Sequence, residues 1–255
     1  MEKYQRPGIT LRAIAPNAVT AMAFCTGLSG AWFAMQGRWE AALAAIVGAG
    51  VLDGMDGRIA RMLKGESRFG AELDSLSDVT AFGVTPALVL YMWALQHMPR
   101  FGWTICIFFA LCMALRLARF NARIDVEDQP HKSAGFNTGV PAPAGAGLSL
   151  LPLIIWLETG WEPIRHYSVV GPWMLCVALL MVSSLATFSW KSIRIPAGMR
   201  FLALVAIAGF AAALVAAPLI TLIAICVVYI ALIPFSMMRY GKVKRSRRTV
   251  TSDGA

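Results

Sequence analysis

Eight stretches of this sequence, at about 17–36, 39–63, 73–95, 101–122, 140–158, 168–187, 199–215 and 217–236, are apolar almost without interruption. Their lengths match the roughly 17–25 residues that carry an α-helix across about 30 Å of hydrocarbon. The bilayer core holds no water to satisfy backbone N–H and C=O groups, so a run of this kind closes its hydrogen bonds within itself. Only 15% of the residues are charged and 58% are hydrophobic, whereas a soluble domain carries about 25% charged residues. The expected fold is therefore all-α: a polytopic membrane bundle of about eight transmembrane helices (six to eight). Residues 1–236 are expected to form a single integral-membrane domain, and 237–255 a basic tail.

Glycine and proline punctuate most joints, as at Gly37, Pro99, Gly160 and Pro196, and no internal repeat is evident. Orientation follows from Lys and Arg in the short loops. Counted over alternate loops, one side collects twenty basic residues, including Arg12, Arg58, Lys64, Arg123, Lys132, Lys191 and the tail "RYGKVKRSRR"; the other has Arg38, Arg100 and Arg165. Both termini are expected in the cytoplasm, at a cell (inner) membrane. The tail would face anionic headgroups, and no nucleic-acid partner is expected. Cys25, Cys106, Cys112, Cys176 and Cys226 lie inside apolar runs without metal-ligand spacing and are expected to be buried, inert thiols. No cleavable signal peptide is expected.

Against this background "LDGMDGRIARMLKGESRFGAELDSLSDV", residues 52–79, is anomalous. An aspartate at a helix centre costs about 2.5–3.5 kcal/mol on insertion scales, and here there are four. Asp53, Asp56 and Ala60 recur at i, i+3 and i+7 on one helix face, and Asp74 and Asp78 at i and i+4 on the next. A hairpin through "KGESRFG" brings the two pairs together. At about 4 Å and an effective dielectric near 20, each like-charged pair costs roughly 4 kcal/mol. Hard divalent cations with oxygen ligands relieve that repulsion. Two of them about 3.5–4 Å apart form the clamp of phosphoryl transfer. The alternative is a hairpin in which Arg58, Arg61, Lys64 and Arg68 neutralise the acids. Interleaved Gly54, Gly57 and Gly70 favour the first reading, since glycine weakens a helix but lets a ligand approach the backbone.

The stretch reads D-x-x-D-G-x-x-A-R, eight residues, G-x-x-x-D-x-x-x-D. It is similar at every fixed position (Asp53, Asp56, Gly57, Ala60, Arg61, Gly70, Asp74, Asp78) to the signature of the CDP-alcohol phosphotransferase family. The resemblance implies that Asp53, Asp56 and Asp74 hold two divalent cations, Mg²⁺ or Mn²⁺. Asp78 would contribute to the second and take the proton from the attacking alcohol. It further implies that Gly57, Ala60, Arg61, Ser67 and Gly70 bind the nucleotide diphosphate of CDP-diacylglycerol. "APNAVT", residues 15–20, looks like the family's first-span entrance, where Asn17 and Thr20 would face the nucleotide. From the residues alone, both equally read as N-caps of the first span.

Three further stretches, "DSLSDVTAFGVTPAL" (74–88), "RLARFNAR" (116–123) and "GFNTGVPAPAGAG" (135–147), resemble the phosphatidylserine synthase branch of that family, extending the likeness over roughly 12–150. This implies L-serine as acceptor, with Arg116, Arg119 and Asn121 as its candidate contacts. A guanidinium suits a carboxylate, though arginines at a span end also snorkel to the interface. Glycerol 3-phosphate or inositol phosphate would want arginines as well. The acidic loop residues Asp125, Glu127 and Asp128 would not help a phosphorylated acceptor. The small residues around Pro141 and Pro143 read either as close helix packing or as a floor for a small headgroup. His97, His131 and His166 have no catalytic partner at motif spacing. The resemblance also brings a homodimer as an expectation, marked by no residue pattern here. A cation-coupled transporter, which also places aspartates in spans, is the alternative of a different class.

Overall fold

In a computed structural model, described here for residues 11–63, 67–122, 136–183, 186–188 and 200–233, the chain is helical apart from one short ribbon. The elements are α1 (Leu11–Met35), α2 (Trp39–Leu63), α3 (Arg68–Asp78), a π-helical turn (Val79–Val84), α4 (Thr85–Trp93), α5 (Gly102–Asn121), β1 (Phe136–Thr138), α6 (Ala142–Thr159), α7 (Tyr167–Val182), β2 (Ala186–Phe188) and α8 (Arg200–Ala216). A final apolar helix, α9, spans Pro218–Ile233. Four helical stretches are long and apolar enough to cross a membrane: Ile14–Met35, Arg68–Trp93, Gly102–Asn121 and Ala142–Thr159. The protein is a membrane protein. Helix α2 falls outside that set because Asp53, Asp56, Arg58 and Arg61 occupy its second half. Lys64, the loop carrying Arg123 to Lys132, Lys191, Arg194 and the tail lie outside the described residues.

The chain divides into two compact units, Met1–Leu117 and Ala118–Ala255, with the division falling inside α5. In the first, α1 and α2 pack through small residues: Ala23, Ala31, Ala34, Ala42, Ala45 and Ala49 are all buried. A Cβ at Gly27 would come within 2.5 Å of the Ala81 Cβ, and one at Gly30 within 3.2 Å of the Ala42 carbonyl oxygen. Such close backbone approach is how membrane helices gain dispersion contact where lipid offers no hydrophobic drive.

Helix α3 is amphipathic in the reverse sense of a soluble helix. Phe69 and Leu76 are exposed, whereas Ser77 is buried and Asp74 and Asp78 are partly buried. In an apolar solvent the polar face turns inward. After Asp78 the helix widens by one residue: the Thr85 N–H bonds to the Thr80 carbonyl, five residues back. The extra residue re-registers the helix, so that Thr85, Val89 and Trp93 of α4 are buried in line below the polar face of α3.

In the second unit α7 ends at Val182, short of the expected 187. The following residues instead form an antiparallel pairing, Phe136 opposite Phe188, Asn137 opposite Thr187 and Thr138 opposite Ala186. The cause of the early stop is a cap: Arg119 donates to the Val182 and Ser183 carbonyl oxygens at 2.9 and 3.4 Å. A guanidinium at a helix C-terminus satisfies orphan carbonyls and opposes the helix dipole. Gly139, at φ +74°, sits against the same helix end, where a Cβ would lie 2.7 Å from the Met181 oxygen and 3.0 Å from the Ser183 oxygen. Of the cysteines, Cys106, Cys112 and Cys226 are buried, but Cys25 and Cys176 are exposed on the apolar outer face, correcting the expectation of five buried thiols.

Candidate active site

Helices α2 and α3 bring the aspartates together. One carboxylate oxygen from each of Asp53, Asp56 and Asp74 lies within 4.8 Å of the other two. The Asp53 carboxyl is also within hydrogen-bonding reach of Asp78. The Asp78 Oδ1 is buried and has no hydrogen-bond partner among the described residues. An orphaned buried carboxylate oxygen is costly unless something outside the chain occupies it. The donor set is all oxygen and acidic, which fits a hard divalent cation. Gly54 and Gly57 border open space, with nothing within 4 Å of a Cβ at either position. The residues therefore fit the cation that the motif implies.

Among the described residues the alternative of a salt-bridged hairpin finds no counterpart, and Lys64 lies outside them. Arg58, Arg61 and Arg68 are exposed, and no ion pair joins them to the aspartates among the described residues. Arg61 instead donates its Nε to the Gly57 carbonyl oxygen at 3.0 Å, which holds the guanidinium over the open side of α2. Ala60 is half-buried on the same helix.

Ser67 is the N-cap of α3, its Oγ accepting from the Gly70 N–H at 3.0 Å. A cap of this kind contributes about 1 kcal/mol. Gly70 has no room for a side chain: a Cβ would lie 2.8 Å from the Asn17 Oδ1 and 3.1 Å from the Ser67 Oγ. Asn17 is thus seated at the start of α3.

The reading of Asn17 and Thr20 as N-caps of the first helix is incorrect. Helix α1 already begins at Leu11 and runs through Pro16. Thr20 is buried, and its Oγ1 stands 2.7 Å from the Asp56 Oδ2 and 3.1 Å from the Pro16 carbonyl oxygen. The Thr20 carbonyl oxygen in turn accepts from the Ser77 Oγ at 3.3 Å.

The candidate acceptor residues meet different partners. Within the first unit, the Arg116 guanidinium lies in electrostatic reach of the Asp78 carboxyl. Arg119, in the second, caps α7 as described. Asn121 is the last residue of α5. Sequence reasoning missed Ser77, the π-helical turn and the Arg119 cap. Ser77 carried a signal, since a serine beside Asp78 on a polar face facing inward needs a partner. The π-helical turn carried none that we recognise.

Comparison with known proteins agrees with this geometry. The family model described as CDP-alcohol phosphatidyltransferase matches residues 13–188. The Mycobacterium tuberculosis protein named CDP-diacylglycerol–serine O-phosphatidyltransferase is 39% identical over 234 residues, 91% of this chain and 80% of that protein. The Helicobacter pylori protein of the same name is 33% identical over 184 residues, covering 70% of this chain and 73% of that one. A Methanocaldococcus jannaschii protein, again of that name, is 38% identical over 135 residues, 53% of this chain and 57% of its own. A membrane chain with this signature, this carboxylate cluster and these relatives belongs to the CDP-alcohol phosphatidyltransferase family.

Proposed function

We propose that the chain transfers a phosphatidyl group from CDP-diacylglycerol to the hydroxyl of L-serine, giving phosphatidylserine and CMP in phospholipid biosynthesis. The observation that carries this reading is the meeting of three carboxylates from two helices within 4.8 Å, with Asp78 and Arg116 alongside. The names of the relatives supply the acceptor. With the family shown, a cation-coupled transporter is no longer a reading of these aspartates.

In the mechanism we favour, Gly57, Ala60, Arg61, Ser67, Gly70 and Asn17 line the seat of the cytidine diphosphate. Missing side chains at Gly54 and Gly57 leave the space, and Arg61 supplies positive charge. Asp78 takes the proton of the serine hydroxyl. The serine oxygen forms a bond to the phosphorus that bears diacylglycerol, and the bond from that phosphorus to CMP breaks. Arg116 pairs with the serine carboxylate while Asp78 works on its hydroxyl. The family is divalent-metal dependent, and two cations, Mg²⁺ or Mn²⁺, held by Asp53, Asp56, Asp74 and Asp78, would neutralise the diphosphate as charge moves onto CMP. General-base assistance accounts for about 10²–10⁴-fold, so positioning supplies much of the remainder. Residues 1–236 act as one domain, with the site on the cytoplasmic face of the inner membrane.

An acceptor exchange tests this. Purified enzyme in CDP-diacylglycerol micelles is given serine, glycerol 3-phosphate or inositol phosphate, and CMP is followed. Release with serine alone, falling by about 10²–10⁴-fold in Asp78→Asn, is expected; release with another acceptor overturns the serine assignment. Sealed inside-out vesicles should use added serine, and preferential use by right-side-out vesicles contradicts the orientation.

A further inference from the structure

We propose that Thr20 is the positioning residue of the carboxylate cluster: its hydroxyl fixes Asp56 and its carbonyl oxygen fixes α3 through Ser77. One residue of α1 thereby sets both halves of the cation site. The inference rests on the cation site proposed above, and it gives Thr20 a role different from the nucleotide contact that the family resemblance implies.

The geometry is specific. The Thr20 hydroxyl has one proton and two acceptors near it, the Asp56 Oδ2 at 2.7 Å and the Pro16 carbonyl oxygen at 3.1 Å. The shorter, charge-assisted bond is the stronger, so the proton goes to Asp56. Thr20 is 4% exposed and Asp56 6%. A hydroxyl so enclosed, and already committed to a carboxylate, is satisfied within the protein. On its other side the Thr20 carbonyl oxygen accepts from the Ser77 Oγ at 3.3 Å, and Ser77 is 3% exposed. A carbonyl oxygen has two lone pairs, so this bond is compatible with the helical bond of α1. Ser77 directly precedes Asp78 and lies one turn beyond Asp74.

With its Oδ2 bonded, the Asp56 carboxylate cannot rotate freely, and its presentation to the cluster with Asp53 and Asp74 is held in one orientation. Hydrogen bonds of this kind, behind the ligands themselves, commonly change metal affinity or activity by about 10–100-fold. Valine has the shape of threonine without the hydroxyl, and serine keeps the hydroxyl without the methyl group. Thr20→Val therefore removes the bond, and Thr20→Ser preserves it.

The test is Mn²⁺ binding, read by electron paramagnetic resonance on purified protein in nanodiscs with no substrate present, together with the KM for CDP-diacylglycerol. Thr20→Val is expected to weaken Mn²⁺ binding by about 10–100-fold, with Thr20→Ser staying near wild type. Thr20→Val binding Mn²⁺ as the wild type does overturns the proposal. A raised CDP-diacylglycerol KM at unchanged Mn²⁺ affinity also overturns it, and returns Thr20 to the nucleotide. If Thr20→Val does not fold, Thr20→Ser and Thr20→Ala differ by the hydroxyl alone and make the same comparison. Wild-type protein that binds no Mn²⁺ overturns the cation site itself and the positioning role with it, a failure distinct from equal binding by the variants.

Discussion

Gly57 and Gly70 belong to one motif but are glycines for opposite physical reasons. A Cβ at Gly57 would meet nothing within 4 Å, whereas one at Gly70 would run against Asn17 and Ser67. Gly57→Ala should fold normally and gain up to about 1 kcal/mol from helix propensity, while the KM for CDP-diacylglycerol rises because the methyl group occupies the ligand's space. Gly70→Ala should lose about 1 kcal/mol with the Ser67 cap and lose turnover too. Thermal unfolding and KM, measured on both variants, separate the two; a destabilised Gly57→Ala with normal KM contradicts the assignment. At this scale the aspartates were legible, because i, i+3 and i, i+4 spacings are local properties of a helix. The Thr20 bonds were not: their partners lie 36 and 57 residues away, and nothing in the pattern of one helix names a partner on another.

Among the elements, helices lie where the apolar runs are, since hydrophobic length is what the bilayer selects. Their ends were less legible. Helix α1 begins at Leu11, ahead of its apolar run, and α7 stops early where Arg119 caps it. The π-helical turn lies where packing is close: Gly27 of α1 admits Ala81, and a Cβ at Gly83 would come within 2.9 Å of Met113. The two arginines of α5 meet different groups, which predicts separable effects on substitution. Arg119→Met leaves two helix-end carbonyls without their donor, and should destabilise the protein by about 1–3 kcal/mol with the serine KM unchanged. Arg116→Met should raise the serine KM with little change in thermal unfolding. A raised serine KM in Arg119→Met at wild-type stability contradicts the capping role.

At the scale of the first unit, the aspartates of the site turn inward while Arg58, Arg61, Arg68 and Glu72 stay exposed on the same helices. Met55, Met62, Phe69 and Leu76 are exposed on the helices that carry the aspartates, while the carboxylates converge behind them. Apolar side chains turned outward in this way suit a membrane, and the converging carboxylates suit the reaction proposed above. Family and carboxylate cluster were readable from composition, spacing and motif together; the split between the acceptor arginines needed coordinates, because i, i+3 spacing places two side chains near one face without saying what each meets. The central claim is that Asp53, Asp56, Asp74 and Asp78 act by holding divalent cations. It is tested most directly by CMP release from CDP-diacylglycerol and serine, using chelator-stripped enzyme titrated with Mg²⁺ or Mn²⁺, wild type against Asp74→Asn. We predict no release from stripped enzyme, recovery on adding either metal, and a loss of about 10-fold or more in metal affinity or activity in Asp74→Asn; turnover by stripped enzyme, or an Asp74→Asn titration identical to wild type, would contradict it.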